Sequence, residues 1–263
     1  MVLPEHPQSL KHLPRLAFAS GSIAASVERK EYSVPLTTAQ RHYLERVRRL
    51  RLGDRFLAFD CSGRLWQATL SHAQAVIGAE LEPLTRELPI RLELAIAVPK
   101  GSGFDSLVRQ LTELGVSSIV PLTSERTISV PSANKLQRWR AIAVEAAEQC
   151  ERVAIPEIAE PTRWQTWLQS PQPKETTRFV AAARAGGPHL MTLLNRLTTG
   201  QGLSIAVGPE GGWTEAELTW ADEAEVRSVG LGNRILRTVT APLAIASLVA
   251  GYSDCLDTDR NFQ

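Results

Sequence analysis

The sequence predicts an α/β protein whose larger part is a mainly parallel sheet covered by helices, preceded by a small β-rich module. From Ile90 onward, short apolar runs alternate with helical patterns, which is the rhythm of strands and helices in a parallel sheet. Leu203 to Val207 is largely apolar, as expected of a strand buried on both faces. Thr214 to Glu217 has the pattern of a capping box, so a helix is expected to begin soon after that strand.

The first module is expected to contain one helix after an irregular start. Thr37 and Gln40 have the spacing of a helix amino terminus, and the residues after them are predicted to form a helix that carries Leu44, Val47 and Leu50.

Two strands are expected after this helix, at Arg55 to Phe59 and Leu65 to Leu70, around a turn at Asp60 to Gly63. The segment from Glu82 to Pro89 is polar and marked by prolines, and the pattern changes after it. We therefore predict two domains, residues 1–85 and residues 86–263.

The second domain is predicted to hold alternating strands and helices. In chain order they are expected at Ile90 to Val98, Phe104 to Leu114, Ser118 to Leu122, Lys135 to Cys150, Arg178 to Ala183, His189 to Leu197, Leu203 to Val207, Thr214 to Ala224, Ser228 to Leu231 and about Thr240 to Tyr252.

Two glycine-bearing loops are the main candidates for a ligand site. Gly208 to Gly212 follows one predicted strand, and Gly230 to Leu236 follows another. Glycine tolerates positive φ and close backbone approach, so main-chain groups of these loops can reach a ligand. Ligands of open α/β sheets bind at the carboxyl ends of the strands, where both loops lie. Two sharp strand-to-helix turns without a ligand are the alternative.

Neither loop matches a common nucleotide motif. A phosphate-binding P-loop needs Lys followed by Ser or Thr after its second glycine, whereas Gly212 is followed by Trp213 and Thr214. The dinucleotide pattern is approached at 101–106 and at 230–235, but both stretches lack its third glycine position. ATP and NAD are therefore disfavoured.

Composition narrows the class of protein. The chain has 263 residues, 43% of them hydrophobic, and a formal net charge of +1, as expected of a globular protein. Prolines and histidines interrupt the first residues, and no apolar run approaches the roughly 20 residues of a membrane helix, so a cytoplasmic protein is expected. The three cysteines are widely spaced, which suggests neither a disulfide framework nor a metal site.

Basic charge is concentrated in one short stretch. Six arginines fall between positions 41 and 55, together with only two acidic residues, Glu45 and Asp54. Arginine offers a planar fork of donors that suits phosphates and base edges, so this stretch is a candidate RNA-contacting patch. A solvated helix face is the alternative. The six arginines are Arg41, Arg46, Arg48, Arg49, Arg51 and Arg55.

The loop sequences closely resemble a known family. GPEGGWTEAE and LGNRILRTVTAPLAIASL are similar to the carboxy-terminal motifs of the ribosomal RNA small subunit methyltransferase E family. The resemblance extends to KGSGFDSLVRQLTELGV, IVPLTSERT, KLQRWRAIAVEAAEQCERVAIPEI and HYLERVRRLRLGDRFLAFDCSGRLW, and so covers nearly the whole chain. An ordered series of this kind is highly specific.

The resemblance implies both an activity and an architecture. Members of this family belong to the SPOUT methyltransferases and methylate N3 of one uridine in 16S rRNA. It therefore implies a trefoil-knotted α/β domain, S-adenosylmethionine as methyl donor, a homodimer, and an amino-terminal PUA-like β-barrel that helps to hold RNA. No metal is needed for this chemistry. The knot runs against the usual rules of chain topology and follows from the resemblance alone.

Site residues are carried over by the same resemblance. Cofactor contacts are expected from backbone groups of both loops, with apolar contact to adenine from Ile235 and Leu236. Ala182 to Arg184 is a weaker third candidate. The expected cofactor residues are Gly208, Pro209, Glu210, Gly211, Gly212, Leu231, Gly232, Ile235 and Leu236.

Several arginines and one histidine are the expected RNA contacts. His42 with Arg49 fits the family's H-x-x-x-x-V-x-R stretch, although His42 could equally be a helix-surface residue. Trp66 is expected to pack inside the barrel. The expected RNA-binding residues are Arg15, His42, Arg48, Arg49, Arg126 and Arg152.

Arg237 is the expected catalytic residue, because it follows the second loop and could stabilise negative charge on the uracil ring or grip a phosphate. A salt bridge is its alternative role. Glu210 is the acid nearest the first loop, and we expect it to pin loop backbone rather than act as the base, which we leave unassigned.

Two positions depart from the family pattern. Val239 stands where the family commonly has Glu, and Arg109 with Gln110 stands where it has Gln and Lys. Because of Val239, a catalytically silent RNA-binding or assembly protein is one alternative function. A SPOUT enzyme acting on tRNA or on a ribose 2′-hydroxyl is the other.

Overall fold

The computed structural model describes residues 12–61, 63–82, 86–128, 130–197 and 200–261, which form two compact units. Unit 1 comprises the described residues up to Arg86 together with Ala147–Ala154. Unit 2 comprises Glu87–Ala146 and the described residues from Ile155 onward. The expected boundary after residue 85 falls on a position outside the described ranges, so the two-domain division at that residue stays a prediction.

The described residues of unit 1 form five strands, two short α-helices and a π-helical turn, and the end of one long helix joins them. The strands form one sheet in the order β1, β3, β4, β5, β2. β1 runs parallel to β3, and the other neighbours are antiparallel. The elements are β1 (Arg15–Ala17), α1 (Ser22–Glu28), β2 (Ser33–Pro35), α2 (Thr38–His42), β3 (Arg55–Phe59), β4 (Leu65–Ser71) and β5 (Gln74–Leu81).

The sheet of unit 1 encloses its own apolar core. Trp66 is 1% exposed and packs with Phe56, Leu44 and other apolar residues, as expected of a barrel residue. Asp60 is fully buried, and its carboxylate accepts hydrogen bonds from the backbone N–H groups of Ile23 and Ala24 at 2.7 and 2.8 Å. This buried acid therefore holds the first turn of α1 against the end of β3.

The predicted helix after Thr37 is shorter than expected. Its capping box forms, because the Thr37 hydroxyl accepts from the Gln40 backbone N–H while the Gln40 side chain accepts from that of Thr37. However, α2 ends at His42, and Tyr43–Val47 forms a π-helical turn. Val47 is 59% exposed and Leu50 lies beyond the turn, so the prediction of one helix that carries Leu44, Val47 and Leu50 is wrong.

The end of the long helix α4 (Ala133–Cys150) groups with unit 1, although the sequence assigned it to the second domain. The Glu148 carboxylate accepts from the backbone N–H of Ala17 at 2.8 Å. One nitrogen of Arg15 donates to the backbone carbonyl of Glu151 at 2.9 Å, and the other lies 3.5 Å from its carboxylate. Long-range polar contacts of this kind cannot be read from local patterns.

Unit 2 is a parallel sheet between two layers of helices. Its elements are β6 (Leu92–Ala97), α3 (Gly103–Glu113), β7 (Ser118–Thr123), α4, β8 (Glu157–Ile158), β9 (Thr162–Arg163), α5 (Trp164–Gln169), β10 (Thr176–Ala181), α6 (Leu190–Leu194), β11 (Gly202–Val207), α7 (Glu215–Glu223), β12 (Arg227–Val229) and α8 (Thr240–Asn261).

The sheet of unit 2 has the strand order β12, β10, β11, β6, β7, β8, and β9 pairs with β7. Every recorded pairing of these strands is parallel, which confirms the predicted mainly parallel sheet. Successive residues of β6 belong to two different cores. Leu94 lies in the core that includes residues of α3, α4, α6 and α8, and Ala95 lies in the core that includes residues of α5 and α7. The carboxyl ends of the central strands therefore lie between two packed layers.

All ten elements predicted between Ile90 and Tyr252 occur, with their ends moved by a few residues except in α8, which runs on to Asn261. The sequence missed β8, β9 and α5, and in unit 1 it missed β1, α1, β2 and β5. Most of these are two or three residues long. Such a strand has too few residues for a periodic pattern, and only its neighbour in the sheet defines it.

Candidate functional site

The loops at the carboxyl edge of the unit 2 sheet are tied together by polar contacts. The Thr238 hydroxyl, just after the second glycine loop, donates to the Gly208 carbonyl of the first loop at 3.1 Å. The Glu210 carboxylate accepts from the backbone N–H of Lys100, in the loop after β6, at 3.3 Å. Trp213 donates from Nε1 to the carbonyl of Ala181, at the end of β10, at 3.1 Å. The edge therefore joins loops from four neighbouring strands.

The first glycine loop, residues 208–212, is braced by the protein itself. The Gly208 carbonyl accepts from the Thr238 hydroxyl, and the Pro209 carbonyl accepts from the Gly212 N–H. The Gly211 carbonyl accepts from the Arg126 guanidinium. A Cβ on Gly208 would lie 2.9 Å from the Trp213 ring, so only glycine fits at that position. The N–H groups of Glu210 and Gly211 make no hydrogen bond to any described residue and are available to a ligand.

The second glycine loop is bonded at its first residue, Gly230, and is open from residue 232 onward. Backbone groups of residues 232–236 form no hydrogen bond with the described part of the chain. Gly232 adopts φ +106°, a conformation that favours glycine. Ile235 is 69% exposed and Leu236 is half-buried. This loop therefore offers free donors and acceptors beside aliphatic surface, which suits a ligand with both polar and apolar parts.

Arg126 braces the first loop rather than standing free. Its guanidinium donates to the Gly211 carbonyl at 2.7 Å, and a Cβ on Gly211 would lie 3.1 Å from Arg126 Cδ. The arginine was expected to bind RNA. Because one of its nitrogens already holds loop backbone, we assign it a positioning role, which the sequence reasoning missed.

The amino terminus of α7 anchors the other end of the first loop. Thr214 and Glu217 form the predicted capping box, with Thr214 Oγ1 accepting from Glu217 N–H at 3.2 Å and a Glu217 oxygen accepting from Thr214 N–H at 2.9 Å. The second oxygen of the buried Glu217 carboxylate accepts from the backbone N–H of Glu125 at 2.8 Å. One buried acid thus links the helix, the loop and the segment that carries Arg126.

Arg237 is exposed, and its guanidinium forms neither a hydrogen bond nor an ion pair with any residue in the described ranges. The salt bridge that was its alternative role is therefore not formed within this part of the chain. Its carbonyl instead accepts from the N–H groups of Thr240 and Ala241 at 2.8 and 2.9 Å, which fixes its backbone at the start of α8. Arg237 thus presents a free cation from a fixed backbone beside the open loop.

Val239 packs against the start of α3. A Cβ built on Gly103 would lie 3.4 Å from Val239 Cγ1, which is ordinary van der Waals contact. The position where the family commonly has an acid therefore places an aliphatic methyl group beside Gly103 in this chain. Ala182 and Arg184, the weaker third candidates, follow β10 on the same edge, where Ala182 is buried and Arg184 is exposed.

The arginine stretch of unit 1 is largely unpaired. Arg41 forms an ion pair with Glu45 at 3.4 Å. Four other guanidinium groups of the stretch are exposed and have no partner among the described residues: those of Arg46, Arg48, Arg49 and Arg51. His42 is exposed at the end of α2. A cluster of unpaired cations on one short segment suits a polyanion.

Two of the expected RNA-binding arginines are not free surface cations. Arg152 is buried, with 3% of its surface exposed. Arg15 is tied to Glu151, and burial lowers the pKa of its guanidinium while the neighbouring Glu151 carboxylate opposes that shift. Both side chains belong to the packing of unit 1, and their RNA-binding role stays a prediction.

Within the described ranges, no group of three or more His, Cys, Asp or Glu side chains is placed to hold a metal ion. Cys61, Cys150 and Cys255 form no disulfide with any described residue. Among the helices described, none combines the length and apolar character that a membrane-spanning helix requires.

Comparisons with known proteins agree with this organisation. A family model described as an RNA methyltransferase domain matches residues 86–250, and one described as an RNA methyltransferase PUA domain matches residues 36–77. The ribosomal RNA small subunit methyltransferase E of Synechocystis is 43% identical over 84% of this chain and 74% of its own length. That of Bacillus subtilis is 30% identical over 86% of this chain and 92% of its own length.

A solved structure is similar over nearly the whole chain. The crystal structure of a ribosomal RNA small subunit methyltransferase E from Neisseria gonorrhoeae, bound to S-adenosyl methionine, has a TM-score of 0.76 and 30% identity. The match covers 90% of this chain and 96% of that one. The α/β fold with a PUA-like first unit is therefore shared with a protein that binds this cofactor.

Proposed function

This chain belongs to the ribosomal RNA small subunit methyltransferase E family, and on that premise we propose that it is an S-adenosylmethionine-dependent methyltransferase that methylates N3 of one uridine in 16S rRNA. One observation carries the proposal. A braced glycine loop and an open glycine loop are joined by the bond from Thr238 to Gly208, and Arg237 stands beside them as a free cation.

The residues at this edge fit S-adenosylmethionine. The free backbone groups of residues 232–236 suit the polar edges of the adenosine part, and Ile235 with Leu236 supplies apolar surface for adenine. The free N–H groups of Glu210 and Gly211 suit the carboxylate of the methionine part. When bound, the cofactor supplies a methyl group carried on a positively charged sulfur.

The protein's own task is to hold the uracil ring in line and to stabilise it after N3 loses its proton. Arg237 suits the second part, because its guanidinium remains protonated near neutral pH and no described residue neutralises it. Glu210 is engaged by the Lys100 backbone N–H, so we assign it to holding the loop and do not name it as the base.

The binding partners follow from the same premise. We propose that the unpaired arginines of unit 1, together with His42, contact 16S rRNA within the small ribosomal subunit, and that the protein acts in the cytoplasm as a homodimer. Ile128, Val130 and Ile235 support a dimer, since these three aliphatic side chains on loops of unit 2 are each at least 66% exposed. A trefoil knot in unit 2 is part of the proposal and follows from the family.

The decisive experiment is to map the methylated nucleotides of small-subunit rRNA by mass spectrometry in a strain that lacks the gene, with and without its restoration. We expect one N3-methyluridine to disappear in the deletion strain and to return with the wild-type gene. Loss of a ribose methylation or of a tRNA modification instead would favour the other SPOUT activity. Unchanged RNA would favour the silent binding protein that Val239 leaves open.

A further inference from the structure

An open groove on unit 1 lies beside the unpaired arginines and has a cavity volume of about 440 Å³. Its apolar lining comes from Leu13, Pro14, Val47 and Leu50, and its polar and charged lining from His12, Arg48, Arg55 and Asp54. Sites that hold small organic ligands span roughly 300–1,000 Å³, so the groove has room for a ligand the size of one nucleotide.

One apolar side chain of the groove, Val47, lies outside the core of unit 1, whereas Leu50 packs against that core. Val47 is 59% exposed, because the π-helical turn at Tyr43–Val47 carries it out of the core that holds Leu44. A single exposed aliphatic side chain is common on protein surfaces and does not by itself indicate a binding site. Here it lies in a groove next to Arg48, whose guanidinium has no partner among the described residues.

The charges of the groove favour an anion. Arg48 and Arg55 outnumber Asp54, whose carboxylate already accepts from the Arg51 backbone N–H at 2.7 Å. A cation beside an aliphatic surface suits a ligand that joins a phosphate to a flat apolar face. A nucleotide offers both, but its base face is accessible only when it is unpaired, since duplex RNA presents phosphates and ribose hydroxyls instead.

We propose that this groove binds one unpaired nucleotide of the RNA substrate, with Arg48 on its phosphate and Val47 with Leu50 against the face of its base. The inference rests on the proposed function and makes it more specific. The arginine stretch then prefers single-stranded RNA to duplex RNA, which a general basic surface would not.

A neighbouring depression supplies matched controls. It has a volume of about 270 Å³, smaller than a typical ligand site, and it is lined by Arg46 and Leu52 together with Glu45. Leu52 is 57% exposed, nearly the same as Val47, and Arg46 is as exposed and unpaired as Arg48. Val47 and Arg48 therefore each have a counterpart of the same chemistry outside the groove, whereas Leu50 lines both sites.

The experiment measures the affinity of the full-length protein for a short single-stranded RNA and for an RNA duplex of equal charge, by fluorescence anisotropy. Val47→Ser should weaken single-strand binding on the order of 3- to 10-fold, since it removes apolar contact area, and should leave duplex binding unchanged. Leu52→Ser should change neither. Arg48→Ala should weaken single-strand binding more than Arg46→Ala, although both remove one charge.

The proposal that the groove binds a nucleotide would be contradicted if each groove variant and its control had equal effects. An equal loss of single-strand and duplex affinity would also contradict it. The proposed function would still stand in that case, because methylation of small-subunit particles is measured separately on the wild-type protein. A wild-type protein that binds neither RNA would also contradict the groove proposal, and only a wild-type protein that fails to methylate small-subunit particles would contradict the proposed function. Thermal unfolding of each variant checks that the substitutions, all at exposed positions, leave the fold intact.

Discussion

At the residue scale, four arginines that looked alike in sequence have different roles in the structure. Arg237 is free, Arg126 donates to the Gly211 carbonyl, Arg15 is tied to Glu151, and Arg152 is buried. Family position marked all four as candidates for RNA or substrate contact. Local sequence carries no information about which carbonyl or carboxylate a long side chain meets, so only the tertiary contacts separate these roles.

The role of Arg237 can be tested by a change that keeps its charge. Arg237→Lys should retain cofactor binding but lower the single-turnover methylation rate on the order of 10²–10³-fold, because a point charge cannot replace the planar fork at a developing anion. The measurement uses small-subunit particles at saturating cofactor. Arg227→Lys, an exposed arginine at the amino end of β12, is the control. A near wild-type rate for Arg237→Lys would reassign that residue to structure.

The role of Gly232 can be tested against Gly200, a second glycine with a similar positive φ. Gly232→Val should abolish measurable S-adenosylmethionine binding in calorimetry, because a side chain at φ +106° costs about 1–3 kcal/mol and the unbonded loop can relax to another conformation. Gly200 adopts φ +90° in open space away from the site, so Gly200→Val carries a similar strain. We expect the control to lose stability without losing cofactor affinity, and equal affinity in both variants would contradict the assignment.

At the element scale, capping and glycine turns were predicted well, and the packing of short strands was not. Both capping boxes, at Thr37 and at Thr214, were read from four-residue patterns because their hydrogen bonds are local. The π-helical turn at Tyr43–Val47 was missed, since its course depends on contacts of unit 1. It nevertheless decides which residues of the arginine stretch face the groove.

The two capping boxes allow a matched test of how α7 supports the cofactor loop. Thr214→Ala and Thr37→Ala should each cost about 1 kcal/mol of stability in urea unfolding, because each removes one cap. Only Thr214→Ala should also weaken S-adenosylmethionine binding, on the order of 2- to 10-fold, since α7 begins three residues after Gly212. If both variants bind the cofactor as the wild type does, the capping network is a stability feature alone.

At the scale of the whole molecule, the expected assembly is a homodimer. Sedimentation equilibrium should give twice the 28.8 kDa chain mass at concentrations used for methylation assays. The reason is that a dimer interface would bury the exposed aliphatic residues Ile128, Val130 and Ile235. A monomer that methylates small-subunit particles at full rate would contradict this expectation, whereas an inactive monomer that regains activity on concentration would support it.

The sequence by itself determined the α/β class, the parallel sheet, the two glycine loops and the family, because periodicity, turn residues and ordered motifs are properties of neighbouring positions. Only the tertiary structure decided that Thr238 joins the two loops, that Glu217 links α7 to the Arg126 segment, and that residues 147–154 pack with unit 1. Those contacts join residues up to 136 positions apart. Their partners are set by how the layers pack, and no local pattern encodes that packing.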